Sequence, residues 1–176
     1  DGNSDVMIAA NSGKAIRFHE SKVRSMGRSA SGVRGIMLSS DKDKVVGMIC
    51  VNNLESHVLV VSENGYGKRS DIDAYRVTNR GGKGVKTINI TDKTGKLIAI
   101  KNVIDEDGLM IINKSGVMIR MKVESMRVMG RATQGVKLIN LKSEDQISSV
   151  AKVEISENDD ESNMDLESDK NVLSQQ

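Results

Sequence analysis

The chain has 176 residues and a formal net charge of +2; 38% of its side chains are hydrophobic, 2% are aromatic, and Trp and Pro are absent. That length suffices for one domain or a small array, with a core built from Val, Ile, Leu and Met and punctuated by glycine. No run approaches the ~20 apolar residues of a membrane helix, no charged-then-apolar leader stands before residue 1, and the single Cys50 excludes an internal disulfide and a Cys-based zinc site.

In chain order, the apolar run Val6 to Ala10 reads as a strand, and a turn through Asn11-Ser12-Gly13 leads to a second strand ending near Arg17. A long basic loop follows, then a third strand, Val33 to Leu38, and a fourth, Val45 to Val51. Cys50 lies in that last run and is expected to be a buried, inert thiol, which suits a reducing cytoplasm. The same order returns with Val58 to Val61, the turn at Gly65, Val85 to Ile90, a polar turn through Thr91 to Gly95, and Leu97 to Val103. It returns again with Leu109 to Ile112, the turn at Gly116, Val136 to Leu141, and Ile147 to Val153.

These are three copies of one unit, offset by 52 residues and then by 51. A period near 50 with several short strands per unit is the signature of blades in a propeller-like array. The strands are continuous apolar runs rather than alternating ones, as expected for sheets covered on both faces. No helical periodicity persists. The expected fold is all-β: a β-pinwheel or propeller-like array of four-stranded blades at residues 1–54, 55–105 and 106–153, followed by an acidic tail at 154–176.

Charge divides along the same boundaries. Residues 1–153 carry 25 Lys and Arg against 16 Asp and Glu, whereas 154–176 carry eight acidic residues and one lysine. A basic body with an acidic tail points to a polyanion partner and to a segment that can compete with it or merely solubilise the chain. The tail, poor in large apolar residues, is expected to be disordered. The chain opens on Asp1, and a longer parent protein is expected.

The basic positions recur in four registers: Arg17, Arg69 and Arg120; Arg24, Arg76 and Arg127; Arg28, Arg80 and Arg131; Arg34, Lys86 and Lys137. Related by near-rigid rotation, each register becomes a row of cations along a curved rim, suited to a phosphate backbone. For the first register a second role stays open, that of a strand-end arginine pinning a carboxylate or a loop carbonyl; the fourth could equally be solvated strand starts. The middle loop, Arg80-Gly81-Gly82-Lys83-Gly84, adds glycines whose amides could form an anion-binding nest. It is no P-loop, because no Lys-Ser/Thr pair follows the glycines. Tyr66 and Tyr75 are expected to stack or pack, His19 and His57 lack metal-ligand spacing, and no paired carboxylates recur. The chain is expected to have no catalytic residue and no metal site.

Over residues 1 to about 153 the sequence resembles the C-terminal domain of the DNA gyrase A subunit. The resemblance is carried by Gly65-Tyr66-Gly67-Lys68-Arg69, by Tyr75-Arg76-Val77-Thr78-Asn79-Arg80-Gly81-Gly82-Lys83-Gly84-Val85, and by Met26-Gly27-Arg28 and Met129-Gly130-Arg131. The family's box Gln-Arg-Arg-Gly-Gly-Lys/Arg-Gly survives at Thr78 to Gly84 in five of seven positions, without the Gln and the first Arg. The resemblance implies the last three blades of a six-bladed β-pinwheel whose basic rim wraps duplex DNA. It also implies an A2B2 holoenzyme in which the gyrase B subunit joins the rest of the A subunit, with ATP and Mg2+ used elsewhere in it. A bacterial cytoplasmic, nucleoid-associated location and no membrane are implied as well. The corresponding domain of topoisomerase IV and a protein-binding propeller of the Kelch or WD kind are the alternatives. The latter predicts aromatic-rich blades and loops that differ between repeats.

Overall fold

The computed structural model describes residues 2–142 and 144–154. The acidic tail, apart from Glu154, lies outside the described residues. Among the described residues eleven strands occur in chain order: β1 (Asp5–Ala10), β2 (Lys14–His19), β3 (Val45–Val51), β4 (His57–Ser62), β5 (Tyr66–Asp71), β6 (Val85–Lys86), β7 (Leu97–Val103), β8 (Asp107–Asn113), β9 (Met118–Lys122), β10 (Val136–Lys137) and β11 (Ile147–Glu154). They form three antiparallel sheets with strand orders β3-β1-β2-β6, β10-β5-β4-β7 and β11-β8-β9. A single 3-10 turn follows the second long strand of each repeat, at Glu20–Lys22, Ile72–Ala74 and Val123–Ser125.

The central hairpins form where the sequence places their turns. Gly13, Gly65 and Gly116 have φ of +79°, +81° and +86°, a conformation in which a side chain would be strained. Pairing in register then brings Val6 opposite Phe18 and Val58 opposite Ser70. The returning strands β3, β7 and β11 add to the other side of β1, β4 and β8.

The third strands depart from expectation. Each was expected to lie within its own unit. Instead β6 of the second repeat pairs with β2 of the first, Val85 opposite Ala15 and Lys86 opposite Lys14. Likewise β10 of the third pairs with β5 of the second, Val136 opposite Gly67 and Lys137 opposite Tyr66. These strands are two residues long, and Val33 to Leu38 forms none. The physical reason is the glycine before each. Gly84 and Gly135 have φ of +69° and +81°, and a Cβ would stand 2.5 and 2.6 Å from the carbonyl oxygens of Ala15 and Gly67. Only a bare backbone can cross to the neighbouring sheet that closely.

Apolar burial follows the sheets. One core joins Met7, Ala9 and Ala15 of the first to Val58, Val60, Ile72 and Tyr75 of the second. Another joins Leu59 and Val61 of the second to Leu109, Ile111, Val123 and Met126 of the third. Strand β4 is therefore covered on both faces, as its unbroken apolar run requires. Cys50 corrects the sequence reading: its thiol is exposed. In β3 Ile49 and Val51 point inward, and alternation turns Met48 and Cys50 out.

Candidate nucleic-acid interface

The first register of arginines splits. Arg17 is buried; its Nε donates to Asp5 Oδ2 at 2.8 Å, and its Nη1 donates to the carbonyls of Ile72 (3.0 Å) and Tyr75 (3.2 Å) in the next repeat. Arg69 repeats this one unit on, with Nε to the Met126 carbonyl at 2.7 Å and an ion pair to Asp105. Both backbones also carry the joint: Thr78 N–H donates to Arg17 O and Met129 N–H to Arg69 O. Burial without a partner is costly for a guanidinium, and both are partnered through Nε and Nη1. They pin one blade to the next and leave the set of candidate phosphate contacts. Arg120 stands apart, exposed, donating to the Glu154 carbonyl at 2.9 Å.

The second register is the opposite. Arg24, Arg76 and Arg127 are exposed, each just after a 3-10 turn, and make no side-chain hydrogen bond or ion pair among the described residues. Arg28, Arg34, Lys83 and Lys137 are likewise exposed and uncommitted among the described residues. Lys86 is exposed and donates to Asn89 Oδ1 at 3.2 Å.

A repeated contact sets the third and fourth registers side by side. Arg80 Nη1 donates to the Arg34 carbonyl at 2.9 Å, and Arg131 Nη1 donates to the Lys86 carbonyl at 2.8 Å. Each joins an arginine of one repeat to the backbone of the preceding repeat's cation, so cations of successive blades share one edge. Arg80 Nε also holds the Lys22 carbonyl at 3.0 Å.

The glycine-rich loop works differently from an open nest. Gly81, at φ +78°, donates its N–H to Gly35 O at 2.6 Å, and Gly82 O accepts from Met37 N–H at 2.8 Å. Gly84 lies flat on β2. The loop is thus stitched to the first repeat, and Gly84 packs closely against it. Beside it a cavity of about 200 Å³ is lined by Arg76, Asn79, Gly82 and Lys83 among others.

Sequence reasoning missed Lys68. It occupies the register of Ile16 and Ile119, is fully buried, and donates to the Gly130 carbonyl at 2.7 Å and to Ser70 Oγ at 3.0 Å. Burial pushes its ammonium down to about 7, with Arg131 adding a smaller repulsion. The signal was a cation in a register otherwise filled by isoleucine. Tyr75, expected to stack or pack, packs: it is buried with its hydroxyl 2.5 Å from Thr87 Oγ1. Tyr66 is half-buried beneath the Lys93 ammonium, 5.5 Å from the ring centre. Among the described residues no group of His, Cys, Asp and Glu could hold a metal ion.

The family model for the DNA gyrase C-terminal domain, a β-propeller, matches residues 4–52, 56–104 and 109–154. The chain belongs to the DNA gyrase C-terminal domain family. It is 45% identical over 172 residues to the DNA gyrase A subunit of Staphylococcus aureus strain NCTC 8325, covering 97% of this chain and 19% of that protein. Identity to the same protein of strain MRSA252 is 46% over 168 residues, covering 95% and 19%. The chain therefore spans about a fifth of these relatives. Among solved structures, a DNA gyrase A C-terminal domain superposes with a TM-score of 0.78 at 26% identity, over 85% of this chain and 50% of that one. The C-terminal domain of a DNA topoisomerase IV superposes with 0.82 at 22% identity, over 88% and 48%. That second likeness is one of fold, whereas the sequence relatives are gyrase subunits. The three matched segments are the three blades of the gyrase domain fold described above.

Proposed function

We propose that this chain is a DNA-binding and DNA-wrapping module of a gyrase A subunit, without catalytic residues of its own. The observation that carries the proposal is the repeated contact of Arg80 with the Arg34 carbonyl and of Arg131 with the Lys86 carbonyl. It lines up cations from consecutive blades on one edge, with the uncommitted Arg24, Arg76 and Arg127 set on each blade. Such an edge follows a phosphate backbone, and affinity comes from counterion release rather than base reading. Bending a 20–30 bp site costs of order 1–6 kcal/mol, so contacts from several blades must act together.

In this reading the chain works within an A2B2 assembly, where the gyrase B subunit joins the remainder of the A subunit, in the bacterial cytoplasm on the nucleoid. ATP and Mg2+ serve supercoiling in those other parts. Among the described residues no helix is long and apolar enough to cross a membrane. Equivalent work in topoisomerase IV is the related alternative, supported by the likeness of fold alone. A protein-binding propeller loses ground because the basic loops recur rather than diversify.

Ligation of nicked circular DNA in the presence of the chain tests the proposal. A shifted linking-number distribution is expected, with binding that weakens steeply as salt rises. Binding without a shift would confine the chain to an electrostatic platform, and no binding at low salt would overturn the nucleic-acid reading.

A further inference from the structure

A set of buried polar side chains crosses the second repeat where the repeat pattern calls for apolar ones. Lys68, Ser70, Tyr75 and Thr87 are all buried. At the repeat offsets their counterparts are Ile16, Phe18, Val23 and Gly35 in the first repeat and Ile119, Met121, Met126 and Leu138 in the third. The polar residues therefore stand together in one repeat and are missing together from its neighbours. Buried polar groups cost stability unless they are partnered, and here they partner one another. Lys68 Nζ donates to Ser70 Oγ at 3.0 Å, and the Tyr75 hydroxyl lies 2.5 Å from Thr87 Oγ1.

Both ends of this set reach the cation edge. Lys68 Nζ also donates to the Gly130 carbonyl at 2.7 Å. The next residue, Arg131, donates through Nη1 to the carbonyl of Lys86, the residue before Thr87. Thr133 holds the same Gly130 carbonyl from within its own turn, through its N–H at 3.1 Å and its hydroxyl at 2.8 Å. Lys68 adds a bond to that turn from the buried interior of the preceding blade.

No carboxylate neutralises the pair. Among the described residues neither Lys68 nor Arg131 makes an ion pair, and Arg131, half-buried, spends one N–H on Lys86. Strand β4 sets Val60 opposite Lys68, and β10 sets Lys137 opposite Tyr66 instead. Lys86 is exposed, with its ammonium on Asn89. Burial holds the Tyr75 hydroxyl above its ordinary range, against smaller opposing effects of Thr87, Ser70 and Arg131, so it stays a neutral phenol. Arg131 is thus the charge that bears on Lys68, adding to the effect of burial that lowers the ammonium to about 7. A negative charge beside the pair acts in the opposite sense and favours the ammonium.

We propose that Lys68 is a positioning residue for DNA binding, its ammonium fixing the Gly130–Arg131 turn, and that a backbone phosphate reaching Arg131 draws a proton onto Lys68 Nζ. The proposal rests on the DNA-binding reading above. The neutral amine holds the Gly130 carbonyl more weakly than a charged donor does, so the protonated chain is the one with Arg131 set for phosphate. Linkage then fixes the sign. The bound chain carries more protons than the free one above pH 7, so affinity falls as pH rises there; well below pH 7 both are charged and affinity is level.

Titration with a labelled duplex of about 20–30 base pairs, at fixed ionic strength from about pH 6 to 9, tests this. Kd is expected to rise roughly three- to tenfold across that range, as when a bound phosphate raises the Lys68 ammonium by up to about one pH unit. Lys68→Met, which keeps the stem without the ammonium, should flatten the profile. His19 and His57 are common to both proteins, so the difference between them isolates Lys68. A urea midpoint no lower than that of the unsubstituted chain excludes unfolding as the cause. Calorimetry in two buffers of unlike ionisation enthalpy needs no variant: at about pH 8 each chain should take up a fraction of a proton on binding, and Arg131→Ala should lessen it. Parallel pH profiles with and without Lys68→Met, or no proton uptake, would overturn the proposal while leaving DNA binding in place. Absence of binding at every pH in low salt would overturn the DNA-binding reading, and the proposal with it.

Discussion

Arg17 holds Asp5 of its own sheet through Nε and the Ile72 and Tyr75 carbonyls of the next repeat through Nη1. One side chain thus ties two blades, and Arg69 does the same one joint further along. Removing a buried, partnered cation strands its acceptors. Arg17→Ala is expected to cost about 3 kcal/mol in urea unfolding, with Arg17→Lys recovering only a part because it lacks the forked geometry. A loss below about 0.5 kcal/mol, the range of a surface change, would show that the joint does not depend on it.

Arg24, Arg76 and Arg127 should behave in the reverse manner. Their joint replacement by alanine is expected to leave unfolding unchanged within about 0.5 kcal/mol. The slope of log K against log salt for duplex DNA should flatten by about 0.9 for each phosphate no longer neutralised. An unchanged slope would remove this register from the interface.

Lys68 gives stability a pH dependence whose sign is fixed by its burial. Its ammonium titrates at about 7 in the folded chain against 10.5 when exposed, so between those values the unfolded chain binds more protons and stability rises with pH. Below pH 7 both states are charged and the burial cost is carried in full. Lys68→Ile, matching Ile16 and Ile119, should abolish the rise between pH 7 and 10 and stabilise the chain at pH 7 by roughly 1–3 kcal/mol. Thermal unfolding across that range checks it; a parallel pH profile in both proteins would contradict it.

Two glycines separate conformational need from mere presence. Gly84→Ala places a methyl 2.5 Å from the Ala15 carbonyl at a φ of +69°, and a loss of about 2 kcal/mol or more is expected. Gly27→Ala meets nothing within 4 Å and has no positive φ, so its midpoint should not fall. Equal effects in a urea titration would show that Gly84 is not the crossing point.

The hairpins and returning strands were legible because local signals specify them: apolar runs of strand length, glycine turns, and a strict offset. The exchange of β6 and β10 was not. Periodicity records where a unit recurs but not which sheet a two-residue segment joins, and that choice rests on Gly84 and Gly135 meeting a neighbouring backbone. The basic registers were visible as a set, whereas their division was not. Arg17 and Arg24 look alike in sequence; one faces Asp5 and two carbonyls, and the other faces solvent. Cys50 was misread because a run with no polar break conceals which side of an edge strand is covered.

The crossing strands also set an order of assembly on the ribosome. The first sheet cannot be completed until Val85 and Lys86 have emerged to meet Ala15 and Lys14, and the second must wait for Val136 and Lys137. Each blade stays unfinished until its successor is made, so maturation runs as a relay from the N-terminal side, with slow, non-local pairing at every handover. A stalled or shortened product would therefore lose more than the repeat it lacks, since the blade before the break would keep an unsealed edge open to aggregation.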